Sequence, residues 1–126
     1  MLDLSGKLNP EFVFDLLDTK EKRIAYGGYL VKTGSKRYEV FRKSLVCANP
    51  NCGREISYAV LQCHHIDEGK GFGHFNFFSE DGVLMTKDHI IPLSKGGKDH
   101  ISNLQTMCKF CNSAKDNKVR VLDGTL

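Results

Sequence analysis

The chain has 126 residues, of which 40% are hydrophobic and 26% charged, the balance of a single soluble globular domain. No window approaches the roughly 20 apolar residues that span a bilayer. The start, MLDLSGKLNPEF, lacks the basic opening and long apolar run of a signal peptide, so membrane, secreted and disordered classes are set aside. The net charge of +3 is an average over unlike segments. Residues 20–54 hold nine Lys or Arg against two Glu, a net of +7, and residues 87–126 give +3, while residues 1–19 and 55–86 are acidic. On charge alone a basic block of this kind suits either a polyanionic partner or a solvated surface stripe.

In chain order, Asn9-Pro10-Glu11 predicts a helix start, since Asn caps, Pro suits the first helical position and Glu favours the positive helix end. Phe12, Leu16 and Leu17 supply its apolar face. A second helical piece is expected from Thr19 through Glu21–Ile24, ending by Gly27-Gly28. Arg37 to Val46 reads as a half-buried strand, with Tyr38 and Val40 roughly alternating with Arg37, Arg42 and Lys43. Gly69, Gly71 and Gly73 form a loop; no strand leads into it, so it is not a dinucleotide fingerprint. HFNFF (74–78) and VLMT (83–86), joined through Asp81-Gly82, predict a β-hairpin. The stretch 88–97 reads as a short strand broken by Pro92 and a Gly-rich turn, and Ile101–Met107 as another strand. A helix is predicted from Lys109 to about Arg120, followed by a frayed tail. His74 and His100 read as surface or hairpin residues, His64 and His65 as loop or core residues, and Phe75, Phe77 and Phe78 as hairpin core.

Five cysteines in a chain without a secretory start argue against a disulfide scaffold. Cys47-x4-Cys52 and Cys108-x2-Cys111 are two short-spaced pairs, and two such knuckles complete a tetrahedron around zinc. Four thiolates leave no open position for water, so the expected zinc is structural. Cys63 is left over as a buried, apolar-type residue.

Residues 88–115 read DHIIPLSKGGKDHISNLQTMCKFCNSAK. Asp88 is a hard oxygen ligand suited to Mg²⁺ or Mn²⁺. His89 beside it is suited to take a proton from water. If the chain folds back through SKGG, Asn103 faces the first strand and can fix the loop that aims His89. Asn112 follows Cys111 and offers a second hard oxygen. Asp116, four residues on, shares its helix face and is a third candidate ligand. Lys109, Lys115 and Lys118 on the same helix are expected to contact phosphates.

DHIIPLSKGG, SNLQ and CKFCNSAK, with CANPNC as a zinc half-site, make the stretch from about 45 to 118 resemble the HNH endonuclease family. The resemblance implies an α+β fold: a ββα-metal core with a four-cysteine zinc site and an N-terminal helical extension. The boundaries expected are 1–44 for the extension, 45–120 for the nuclease domain and 121–126 for a tail. It implies Asp88 as metal ligand, His89 as general base and Asn103 as the residue orienting that base. The last position of the family's signature is Asn112, so this is an H-N-N variant. The implied activity is metal-dependent hydrolysis of DNA phosphodiester bonds, by nicking or double-strand cleavage, with a structural Zn²⁺ and a catalytic Mg²⁺ or Mn²⁺. The expected setting is the cytoplasm of a bacterial cell, with a phage or bacterial source, double-stranded DNA as partner and a monomer or homodimer. The alternative is a zinc-stabilised nucleic-acid-binding module without cleavage.

Overall fold

A computed structural model describes residues 1–115. Asp116, Lys118, the continuation of the last helix toward Arg120 and the expected tail lie outside the described residues.

Ten regular elements follow one another. They are β1 (Leu2–Asp3), α1 (Pro10–Leu17), β2 (Arg23–Tyr26), β3 (Tyr29–Lys32), α2 (Lys36–Lys43), β4 (Tyr58–Cys63), β5 (Phe72–Phe78), β6 (Met85–His89), β7 (Leu104–Cys108) and α3 (Lys109–Lys115). Five strands form one sheet in the order β1-β4-β5-β3-β2, antiparallel except for the β3–β5 pair; β6 and β7 form a separate antiparallel pair. None of the described helices is long and apolar enough to cross a membrane.

Strand alternation decides which face is inside. Val31 of β3, Ala59 and Leu61 of β4, and Phe75 and Phe77 of β5 are all buried. They meet Val13, Phe14 and Leu17 of α1 and Tyr38, Val40 and Phe41 of α2. Phe77 lies at the centre: its ring is 5.2 Å from Phe14, stacked, and 5.3 Å from Phe41. α1 starts as its sequence predicts, with Asn9 Oδ1 accepting from the Glu11 N–H at 2.8 Å and Pro10 at the first helical position.

Three local expectations are corrected. The stretch read as a strand from Arg37 is helix α2. Ser35 caps it, Arg42 and Lys43 sit in its last turn where cations favour the helix dipole, and Tyr38 and Phe41 share its buried face. The helical piece expected from Thr19 is instead the run into the β2–β3 hairpin. Gly27 and Gly28 both take positive φ, 58° and 87°, the geometry of a two-residue turn that matches strand twist. The Asp81-Gly82 turn forms, with Gly82 N–H donating to Ser79 O at 2.9 Å. The strands around it then separate, because β5 pairs with β4 and β6 pairs with β7; a single bridge, Phe78 to Leu84, remains of the expected hairpin.

Residues 1–44 are not simply a helical arm, since they supply β1, β2 and β3 to the same sheet as β4 and β5. The sheet therefore crosses the boundary expected at residue 45.

Candidate active site

The cysteines come first because they fix the ground on which the site stands. Cys47 N–H donates to Arg54 O at 2.8 Å and Val46 bridges Glu55, so Cys47 to Arg54 is a closed loop. Thr106 of β7 holds this loop twice: its hydroxyl donates to Ser44 O at 2.7 Å, and its carbonyl accepts from Ala48 N–H at 2.8 Å. The second pair sits at the junction of β7 and α3. As a result the Sγ atoms of Cys47, Cys52, Cys108 and Cys111 all lie within 4.8 Å of one another, and those of Cys52 and Cys108 are 3.7 Å apart. Sulfurs around a tetrahedral zinc, at Zn–S of about 2.3 Å, stand about 3.8 Å apart. The donor set and its spacing thus fit a thiolate-bound metal. Cys63, on β4, is buried outside the cluster.

Polar groups surround these sulfurs. The Cys108 N–H points at Cys47 Sγ (3.3 Å), the Cys111 N–H at Cys108 Sγ (3.4 Å) and the Asn49 amide at Cys111 Sγ (3.4 Å). The Arg54 guanidinium reaches Cys52 Sγ at 3.6 Å while binding Asp81 at 3.0 Å. Burial pushes the Cys52 thiol up, but the N–H donors of Arg54 outweigh it and hold the thiol at about 7. Burial pushes Cys111 up to about 12 and raises Cys47 as well.

On the other side of β6–β7 lies a cavity of about 270 Å³ lined by Lys87, Asp88, His89, Asn112 and Lys115 together with Pro92 to Ser94. Asp88 is only 6% exposed. Its cross-strand partner Gln105 donates to Oδ2 at 2.8 Å, and the Lys115 ammonium lies 3.3 Å from the same oxygen. Lys115 is 1% exposed and also donates to His89 O at 2.8 Å. This corrects the expectation that Lys115 faces a phosphate backbone: its charge is spent inside the protein. Lys109, by contrast, is exposed at the start of α3. Asn112 donates its amide to Thr86 Oγ1 at 2.8 Å, so Oδ1 is the atom it can offer a cation.

His89 ends β6, and its imidazole Nε2 lies 2.9 Å from Asp99 Oδ1. Asp99 also binds Lys36 at 2.9 Å and approaches Lys87 at 4.0 Å. The Lys36 ammonium, followed by His89, holds the Asp99 carboxyl down to about 2. Asn103 secures the connecting loop. Its Oδ1 accepts from the Ile91 N–H at 2.9 Å, while its amide donates to Ile91 O at 3.0 Å and Lys98 O at 2.8 Å. The glycines of SKGG close the same loop. Gly96 has φ 87°, and a Cβ on Gly97 would overlap the Ile91 carbonyl oxygen.

Residues 78–121 match the family model described as HNH endonuclease. This segment, about a third of the chain, is similar to the HNH endonuclease family. No curated protein and no solved structure matches the chain. The HNH segment takes in β6, β7, α3, His89, Asn103 and the second cysteine pair; the first pair, Cys47 and Cys52, lies upstream of it.

Sequence reasoning missed four residues that contact the candidate residues: Asp99 at His89, Lys36 at Asp99, Gln105 at Asp88 and Thr86 at Asn112. Gln105 was findable, because a strand pair folded through SKGG sets it opposite Asp88. Asp99 sits in a loop with no periodicity to place it. Lys36 lies 53 residues before His89, so nothing local pointed to it.

Proposed function

We infer that this protein is a metal-dependent DNA endonuclease that hydrolyses phosphodiester bonds at the Asp88–His89 site, with β6–β7–α3 as its ββα-metal core. The observation that carries the reading is the His89–Asp99 contact within an HNH segment. A carboxylate on Nε2 fixes the proton there and leaves Nδ1 unprotonated, so Nδ1 can accept a proton from water. As that proton moves to His89, the water oxygen bonds to phosphorus and the P–O bond to the leaving sugar oxygen breaks, that oxygen taking a proton from solvent. Asp99 holds the imidazole in this tautomer and stabilises the imidazolium that forms. Asn103 keeps the 90–98 loop, and hence Asp99, in register with His89.

Asp88 and Asn112 would hold one Mg²⁺ or Mn²⁺, with Asp116 as a further candidate ligand. Such an ion supplies positive charge to the scissile phosphate. The four-cysteine cluster would hold a structural Zn²⁺ through Cys47, Cys52, Cys108 and Cys111, fixing the end of β7 and the start of α3 that carry Asn112. Lys109 and Lys118 remain candidate contacts to the DNA backbone. Phosphate contacts give affinity without sequence choice and weaken steeply with salt.

The test is plasmid DNA incubated with Mg²⁺ or Mn²⁺, wild type beside His89→Ala. Wild type is expected to convert supercoiled plasmid to open or linear forms, and His89→Ala to be slower by roughly 10²–10⁴-fold. Binding of plasmid with no strand break under any divalent ion would replace this reading with a zinc-stabilised DNA-binding module.

A further inference from the structure

The five-stranded sheet has a second face, and alternation should make it polar. Around β2, β3 and the start of β5 it is not. Leu30 and Phe72 are register partners on neighbouring strands and are 43% and 52% exposed. Directly beside them, Arg23 and Lys32 are paired across β2–β3, both exposed. These residues line a cavity of about 640 Å³, whose wall is completed by Ser35 and Arg37 of the α2 start and by His64, Asp67 and His74. That volume lies within the ~300–1,000 Å³ of small-molecule sites. An exposed aromatic ring flanked by cations on a sheet face is the arrangement on which unpaired bases stack while their phosphates are neutralised.

Two further observations favour a nucleotide over an apolar ligand. The floor is polar and fixed: Arg37 donates to Asn76 Oδ1 at 2.8 Å and to Phe75 O at 2.6 Å, and Asn76 in turn contacts His74 and Gln62. Burial, then Arg37 and His64, lower the His74 pKa, and the Asn76 amide donates to its Nε2 at 3.3 Å, which leaves the Nδ1–H of His74 as the donor open to a base edge. The acid in the lining, Asp67, is paired with Lys70 at 3.6 Å. The same segment that lines the cavity also touches the proposed site. Lys36, between Ser35 and Arg37, reaches Asp99, which holds His89.

We propose that this pocket binds a nucleotide of an unpaired stretch of the substrate strand, its base stacked on Phe72 and its phosphate held by Arg23 and Lys32. The inference deepens the endonuclease reading and rests on it for the identity of the strand. It assigns residues before 45 a part in choosing substrate: DNA with a flap, a gap or an opened duplex near the cleaved bond fills the pocket, and intact duplex does not.

The chain contains no tryptophan, so Phe72→Trp installs a sole reporter at an exposed position. On the full-length His89→Ala background without divalent ion, a dT12 oligonucleotide is expected to quench that emission. In anisotropy titrations with the same oligonucleotide, Phe72→Ala should bind about tenfold more weakly, and the Arg23→Ala/Lys32→Ala double variant should lower the log–log salt slope by about 1–2. Emission unmoved by an oligonucleotide that anisotropy shows to be bound overturns the pocket while leaving nuclease activity intact. An emission change that follows protein concentration, with a dimer on a sizing column, overturns it in favour of a second copy seated on the patch. Quenching by dT12 together with a wild type that cuts neither plasmid nor a flapped or gapped duplex under any divalent ion overturns the endonuclease reading and keeps the pocket.

Discussion

The Lys115 ammonium lies 3.3 Å from the Asp88 carboxylate, with both side chains inside the protein. Removing one partner of such a pair strands the other charge. Lys115→Met should therefore cost roughly 3–5 kcal/mol of unfolding free energy, and Asp88→Asn/Lys115→Met should recover most of it. Urea denaturation checks both. A cation that binds Asp88 takes over the role of the ammonium, so Mg²⁺ or Mn²⁺ should raise the Tm of Lys115→Met more than that of the wild type. Equal shifts in the two proteins would remove Asp88 from the metal site.

Asp99 should act through His89 rather than on DNA. Asp99→Asn is expected to lower kcat for nicking by about tenfold or more, with little change in KM, because the amide cannot stabilise imidazolium as a carboxylate does. The same carboxyl offers a pH test. Its pKa is depressed to about 2, principally by Lys36. The Asp99–Lys36 contact is thus fully formed above the ordinary carboxyl range near ~4 and is lost as pH falls through about 2. A carboxyl NMR titration should place the Asp99 midpoint near there, and Lys36→Ala should move it upward. An unmoved midpoint would mean the two side chains do not meet in solution.

The loop carrying Asp99 should fail as a unit. Asn103→Ala deletes three hydrogen bonds to Ile91 and Lys98 and leaves backbone groups without partners, at about 1–3 kcal/mol where these are shielded from water. Nicking should fall while zinc content is unchanged. Gly97→Ala should do the same by overlap with the Ile91 carbonyl. Full activity in both variants would show that His89 does not depend on this loop.

Elemental analysis should find about one zinc per chain, and Cys47→Ser should unfold the region around the cluster, since metal affinity here is folding energy. After chelation, Cys52, held at about 7, should be alkylated by iodoacetamide at neutral pH ahead of Cys47 and Cys111, whose thiols burial raises. Zinc should protect all four. A folded, zinc-free protein whose cysteines react alike would remove the zinc assignment.

Features read well from the sequence were those with a fixed local spacing. The two cysteine pairs meet because each is a tight loop, and Asp88, His89 and Asn112 share a cavity because strand, turn, strand and helix follow in order. The α1 start was equally legible from Asn9 and Pro10. The region before residue 45 was misread where two periods compete. Tyr38 and Val40 fit a half-buried strand by alternation, Tyr38 and Phe41 fit a helix by their spacing, and only packing on Phe77 decides between them. Gly27-Gly28 reads equally as a helix stop or a hairpin turn by composition, and strand pairing makes it the turn. The expected phosphate contact of Lys115 fails because the buried Asp88 it neutralises becomes visible only when β6 and α3 meet.

The ion pair between Lys36 and Asp99 also bears on portability. A cassette cut at residue 45 and fused to another protein would carry the cysteine loops and the β6–β7 pair, but it would leave behind α2 and three strands of the sheet that supports β4 and β5. Two strands alone are marginally stable in water. Transplanting the proposed site therefore means moving β1 to β3 and α2 along with the segment that follows them, and a shuffled gene that exchanged only the matched segment would inherit its signature residues without Lys36, the partner of Asp99.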